Sequence, residues 1–458
     1  MSDQKSDPKT TLLIVSIAQF FTPYMTSAVG VAIPAIGMEF KASAFELGLI
    51  QTAYMLGISL FLVPSGRMAD IKGRKKVYTL GILLFTITTA IILFSKTMVF
   101  FIALRFLQGA GASLIMSTSI AILTSVFPAN KRGKAMGIVV ACVYLGLSAG
   151  PGLGGLLVTG IGWRFVFVLV IPFQLIALYL TFFKLKGEWK EAENERFDWG
   201  GTIIYMAALF LLILGATRLD TSAWGVYLFI AGLLGVVGFV VFESYVKFPI
   251  LNVLLLRNNR VFALSNLATM INYASSFGIT FLFAIYLQVI KGFSARDAGF
   301  ILIAQPVIQA VFSPVIGRLS DRFSSSKLAT LGMAVCAVSL FLCSFVTETT
   351  SIVNIYLILI IMGTGFAIFS SPNMNAVMSS VESKYYGFAA SFVATMRTIG
   401  MLVSMTFITF LFSVLMGELE VSYETKDLFL ATMKISFILF SGLSVLGVFC
   451  SMGRISKN

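Results

Sequence analysis

The sequence predicts an all-α polytopic membrane protein with about fourteen transmembrane helices, on three observations. Of 458 residues, 58% are hydrophobic and 12% charged, where soluble domains carry about 25% charged residues. The apolar residues gather into long runs, mostly 17–28 residues, enough to cross roughly 30 Å of hydrocarbon as helix. One polar turn between two runs, Gly66-Arg67-Met68-Ala69-Asp70-Ile71-Lys72-Gly73-Arg74-Lys75-Lys76, recurs in weaker form as Gly317-Arg318-Leu319-Ser320-Asp321-Arg322. The short alternating segments of a β-barrel are absent from the pattern.

The predicted spans lie near 11–37, 47–66, 77–95, 99–123, 136–159, 164–184, 199–217, 224–245, 262–289, 298–317, 328–346, 351–373, 387–414 and 429–451. Lys5 and Lys9 precede the first, which is too long to read as a cleaved signal peptide. With a cytoplasmic N-terminus, inner segments hold 23 of the 33 lysines and arginines. Outer segments hold seven: Lys41, Lys96, Arg164, Arg218, Lys291, Arg296 and Lys426. Arg105, Arg397 and Lys434 fall within spans. The asymmetry places both termini in the cytoplasm, and the expected location is a prokaryotic plasma membrane. The net charge of +13 is spread over every inner loop, which argues against nucleic acid as a partner.

Cys142, Cys336, Cys343 and Cys450 all lie in apolar runs and read as small buried hydrophobes. The chain has no histidine, the usual near-neutral proton relay and metal ligand. No metal or cofactor is expected, and with no nucleophile–base constellation or soluble domain an enzyme is not expected either. A segment around Gly417–Asp427, with Glu418, Glu420 and Glu424, reads as a solvated outer loop.

The two charged turns stand 251 residues apart and eight spans separate their positions. If each half is a six-helix unit, two helices are inserted, at 199–217 and 224–245. The layout is six plus two plus six: a first bundle at 1–186, a linker with two inserted helices at 187–260, and a second bundle at 261–458. Two repeats moving against each other are known transporter architecture.

Three motifs carry the functional reading. In the charged turn, Gly66 and Gly73 permit tight turns or close approach. Asp70 can sit near a helix N-terminus or pair with an arginine, Arg74 or one from another helix. With Arg67, Gly317, Arg318 and Asp321 it reads as a conformational latch, against the plainer reading of a topology anchor. In the fourth span, Leu104-Arg105-Phe106-Leu107-Gln108-Gly109 buries an arginine that costs about 2.5–3.5 kcal/mol at a helix centre. Arg105 faces protein or a wet cavity, or else makes a structural hydrogen bond or snorkels. In the fifth span, Gly146, Gly150, Pro151, Gly154 and Gly155 read as close helix packing with a permitted kink, either structural or serving a pivot.

These strings resemble the motifs of the major facilitator superfamily, and the glycine–proline string resembles that of its antiporter families. The inserted pair resembles the fourteen-helix drug:proton antiporter family. So do Tyr286-Leu287-Gln288-Val289-Ile290-Lys291-Gly292-Phe293-Ser294, Ala298-Gly299, Pro306 and Ala394-Thr395-Met396-Arg397-Thr398-Ile399-Gly400. The resemblance implies alternating access to a central cavity and multidrug-type efflux of small lipophilic compounds, driven by proton entry. One departure stands out. Members of that family usually carry an aspartate ahead of an Ala-x-Pro in the first span. Here Ala32-Ile33-Pro34 follows Pro23-Tyr24-Met25-Thr26-Ser27, with no acid, and no Asp or Glu lies deep in any span. The remaining candidates for coupling are Asp70, Glu46 and Arg105. The same gap opens a second reading: an exporter or facilitator of a neutral or anionic metabolite or lipid, without conventional proton coupling. The cavity candidates are Gln19, Tyr24, Met25, Gln51, Tyr54, Asn272, Tyr273, Gln305, Gln309 and Arg397. The expected partners are a small-molecule substrate, the lipid bilayer and, for antiport, protons; the expected state is a monomer.

Overall fold

A computed structural model describes residues 6–192, 195–219, 223–251, 253–320, 322–382 and 386–454. Among the described residues fourteen helices are long and apolar enough to cross a membrane, and they coincide with the runs predicted above. In order they are Pro8–Phe40, Ala44–Lys72, Arg74–Ile92, Met98–Val126, Ala129–Gly160, Arg164–Phe183, Trp199–Ala216, Ala223–Glu243, Arg260–Ile290, Ala295–Ser320, Ser325–Cys343, Ile352–Ser379, Tyr386–Met416 and Lys426–Met452, called here the first to fourteenth spans.

Their ends are set by local chemistry. Asp7 caps the first span by accepting from the amides of Lys9 and Thr10, with Pro8 at the first helical position. Ser43 and Glu46 form a reciprocal capping box at the start of the second. The φ of +117° at Gly73 breaks the chain between the second and third spans, a region a side chain rarely enters.

Spans one to six pack among themselves, chiefly first on fifth, second on fourth and third on fourth. Spans nine to fourteen repeat the scheme, with ninth on thirteenth, eleventh on twelfth and tenth on twelfth. The inserted seventh and eighth spans pair with each other and touch the second and thirteenth. The outward flank of the eighth is exposed and apolar, with Leu234 and Val237 open, as a lipid-facing helix requires. Trp199 and Tyr245 stand exposed at one end of this pair, Trp224 and Tyr227 at the other, the positions aromatic belts take at the two interfaces.

The face carrying the Gly66–Lys76 turn is called the hinge face, and the opposite one the far face. Contacts between the two bundles gather toward the far face. Thr52 Oγ1 meets Thr409 Oγ1 at 3.0 Å. The Ala44 amide donates to Leu419 O at 2.9 Å, and Ser43 forms a β-bridge with Glu420. The Arg296 amide donates to Thr159 Oγ1 at 3.0 Å. The Gly417–Asp427 segment, expected to be a solvated loop, therefore also ties the second bundle to the first.

Among the described residues three spans are broken, which the hydropathy pattern does not reveal; the sixth divides into Arg164–Val168 and Val170–Phe183. The ninth passes from helix Arg260–Ser276 to helix Gly278–Ile285 and ends in a π-turn at Tyr286–Ile290. The tenth divides into Ala295–Leu302 and Ala304–Ser320. Pro306 has no N–H to offer Leu302 O, which accounts for the break in the tenth.

Candidate functional site

The breaks in the ninth and tenth spans border a cavity between the bundles. Its wall includes Ser27, Gln51, Tyr144, Tyr273, Gln305 and Gln309, and it encloses roughly 790 Å³, part of it open to solvent. A second lobe of about 450 Å³ is lined by Gln19, Met55, Met116 and Arg397. Thr26, Leu147 and Met401 line both lobes, so the two adjoin. Among the described residues no Asp or Glu lines either one. The Tyr273 hydroxyl is flanked by Tyr144 and the Arg397 guanidinium. Amides, hydroxyls, methionines and one arginine thus face the same space.

Of the ten residues expected on this wall, six are there: Gln19, Gln51, Tyr273, Gln305, Gln309 and Arg397. Tyr24, Met25, Tyr54 and Asn272 are fully buried behind it. Sequence reasoning missed Tyr144 and Ser276. Tyr144 lies just ahead of the glycine string, and its place on the same helix was the available signal.

Arg105 is 0% exposed and stands one layer behind Gln51. Its Nη2 donates to Gln51 Oε1 at 3.2 Å and its Nη1 to Gln108 Oε1 at 2.5 Å. Its guanidinium lies 4.1 Å from the Tyr54 ring centroid, a cation–π contact. Gln51 Nε2 donates to Thr26 O at 2.7 Å, Tyr54 Oη to Thr22 O at 3.1 Å and Gln108 Nε2 to Thr89 Oγ1 at 2.7 Å. The network joins the first four spans and contains no carboxylate, so the arginine's charge is spread over amides and an aromatic face rather than neutralised. Arg454 makes a comparable buried cluster in the second bundle, donating to Ser265, Asn373 and Ser451.

The glycine string works on two sides at once. Gly146 and Gly150 press against Phe20 and Ser27 of the first span so closely that a Cβ would collide, and Gly154 packs tightly on Ala28. Gly155 lies on the backbone of Ala295, and the carbonyl of Pro151 lies on Gly299. One flank holds the first bundle together and the other crosses to the tenth span.

At the hinge, Arg74 is 5% exposed. Its Nε and Nη2 donate to Asp70 Oδ1 at 3.0 and 2.8 Å, and its Nη1 to Ser125 Oγ at 2.7 Å. Asp70 is therefore paired within its own bundle. The polar linker after the sixth span is laid over this hinge as a strap. Glu191 meets Arg74 at 2.7 Å, and Glu195 meets Arg67. Glu188 accepts from the Lys75 amide at 2.8 Å, and its carboxyl occupies the space where a Cβ on Gly73 would stand. The amides of Arg74 and Ala192 bond to Trp189 O and Asp70 O, each at 3.0 Å. Gly66 faces Ser117. In the second copy, Gly317 faces Ser371 and Arg318 is exposed; Asp321 lies outside the described residues. Glu46 is taken up in its capping box.

The sequence model of the Major Facilitator Superfamily matches residues 15–404 and 265–455. The chain belongs to the Major Facilitator Superfamily. Among relatives of this facilitator, the riboflavin transporter RibZ of Clostridioides difficile (strain 630) is 29% identical over 407 residues, 88% of each chain. The multidrug resistance protein Stp of Mycobacterium tuberculosis (strain ATCC 25618 / H37Rv) is 26% identical over 85% of this chain and 73% of its own. A bacterial homolog of the human lysosomal transporter Spinster, solved inward-facing and unoccupied, superposes with a TM-score of 0.70 at 16% identity, over 99% of this chain and 98% of its own. The facilitator is a multi-pass membrane transporter and not an enzyme.

Proposed function

We propose that the chain moves small, partly aromatic, neutral or anionic molecules across a bacterial plasma membrane by alternating access, with the substrate held between the bundles. The observation that carries this reading is the cavity wall, where Arg397 stands with amides and tyrosines and no acid lines the space. An uncompensated cation in a partly desolvated cavity favours an anion or an electron-rich ring over another cation. The likeness to a riboflavin transporter supports a flat polar substrate.

In this reading spans one to six and nine to fourteen are the moving units, with boundaries at residues 186 and 260. The hinge face is cytoplasmic, because most Lys and Arg lie on that side. In this state the contacts at the far face close that side, and substrate would enter from the hinge face. Asp70 and Glu46 have structural partners, so neither is spare as a proton carrier in this state. Substrate movement then needs no carboxylate in the cavity.

The second reading is multidrug-type efflux of lipophilic cations by proton antiport. It is favoured by the likeness to multidrug proteins and by the glycine string, which packs tightly enough to act as a pivot.

Binding to the purified protein separates the two, with fluorescein as the anionic, riboflavin as the neutral and ethidium as the cationic probe. The first reading predicts that fluorescein and riboflavin bind more tightly than ethidium, and that Arg397→Gln weakens fluorescein about tenfold, equal to about 1.4 kcal/mol. Tightest binding of ethidium, unchanged by Arg397→Gln, would establish the second.

A further inference from the structure

The inserted seventh and eighth spans carry a buried acid that no part of the transport reading uses. Glu243 ends the eighth span and is 3% exposed. Its Oε2 accepts from the Leu251 amide at 3.1 Å, while its Oε1 is buried without a hydrogen-bond partner. Asp198 caps the seventh span, its Oδ1 accepting from the Gly201 amide at 2.9 Å, while its Oδ2 is likewise buried without a partner. The two orphan oxygens lie over one point: a Cβ on Gly201 would collide with both.

The polar groups that face Glu243 are Asp198 and the amides of Ile250 and Leu251. None of them is a cation. Lys247, on the adjoining linker, lies over the Phe248 ring at 5.4 Å. Arg196 and Arg257 are exposed. The second span meets the seventh through Ser59 O and the Tyr205 hydroxyl, and its Arg67 is paired with Glu195.

Two carboxylates this close, with no cation between them, cannot both ionise without repulsion. One proton resolves the conflict, because a single Oε1–H of Glu243 donated to Asp198 Oδ2 gives both orphan oxygens a partner. We propose that Asp198 and Glu243 form a proton-binding site that holds one shared proton and releases it as pH rises. Release sets two negative charges against each other at the base of the inserted pair. The site is independent of what the cavity carries.

Infrared titration of the purified full-length protein tests this. A protonated carboxyl is expected to persist at about pH 7 and to disappear by about pH 9, as a shared carboxyl pair requires. Glu243→Gln should abolish that signal. The folded pair holds a proton that the unfolded carboxyls have already lost, so its stabilisation is present at lower pH and is lost as pH rises. The melting temperature of the wild type should therefore fall over that interval, and that of Glu243→Gln should stay level. Absence of a protonated carboxyl at about pH 7 in the wild type overturns the proposal, whether or not the variant folds. So does a signal that survives in Glu243→Gln. Stabilisation by sodium or calcium chloride without the carboxyl signal also overturns it, in favour of a cation site.

Discussion

Arg105 shows why a buried cation is tolerated here without a counter-ion. Two glutamines and a tyrosine face, each anchored to a neighbouring span, replace the water it lost. Arg105→Met removes the charge but leaves the Oε1 acceptors of Gln51 and Gln108 buried without a donor, each costing about 1–3 kcal/mol. The expected outcome is a lowered melting temperature and weaker fluorescein binding, because Gln51 loses its orientation on the cavity wall; scanning calorimetry and a binding isotherm check both. Asp70→Asn acts differently. It removes the carboxylate that orients Arg74, while Ser125 and Glu191 still hold the guanidinium. The protein should reach the membrane in normal amount, and transport should slow by roughly 5–150-fold, the usual range of a coupling free energy in a switch. Unchanged rates in proteoliposomes would remove Asp70 from the switch. Both residues were legible in the sequence because a charge beside an apolar run is conspicuous. The sequence offered Arg74 as one partner of Asp70 without deciding between it and an arginine of another helix, and it could not show that Tyr24, Met25, Tyr54 and Asn272 are buried behind the space they were expected to line. Hydropathy distinguishes polar from apolar positions but not which flank of a wholly apolar helix faces a cavity.

At the scale of elements, the strap and the broken helices are where physical detail went beyond sequence reading. The linker Lys184–Arg196 is polar by composition, with cations and acids in equal number, yet its acids and backbone bond the hinge at several points. Composition reports charge, and only the fold reports that an opposite charge lies within reach. Changing Glu188, Glu191 and Glu195 together to Gln should release the strap. Amide hydrogen exchange in residues 185–192 should then rise steeply, while exchange in the core of the first span stays unchanged. The fourteen spans themselves were legible because each is a long apolar run. The breaks at Phe277 and Ile303 were not, apart from the mark left by Pro306. The glycine string was read as close packing, and its contacts define two separate seams. Gly155→Val must push against the backbone of Ala295, and Gly299→Val against Pro151. Either should loosen the far-face seam while leaving the fold of the first bundle intact. Faster labelling of a cysteine placed at Thr159 would report it.

For the whole molecule, the far face is closed by backbone contacts and a threonine pair, and the cavity between the bundles carries an arginine without an acid. Packed interfaces of this kind have discrete arrangements rather than a continuum, so closing one end should open the other. Tight binding in the cavity can shift that equilibrium only if the ligand prefers one arrangement. The most direct measurement uses spin labels at two pairs of exposed positions, Lys76 with Arg322 on the hinge face and Lys41 with Thr349 on the far face, with and without the probe that binds most tightly in the charge series. On saturation the hinge-face distance is predicted to shorten and the far-face distance to lengthen. Distances that stay fixed, or that change in the same sense at both faces, would contradict alternating access in this chain.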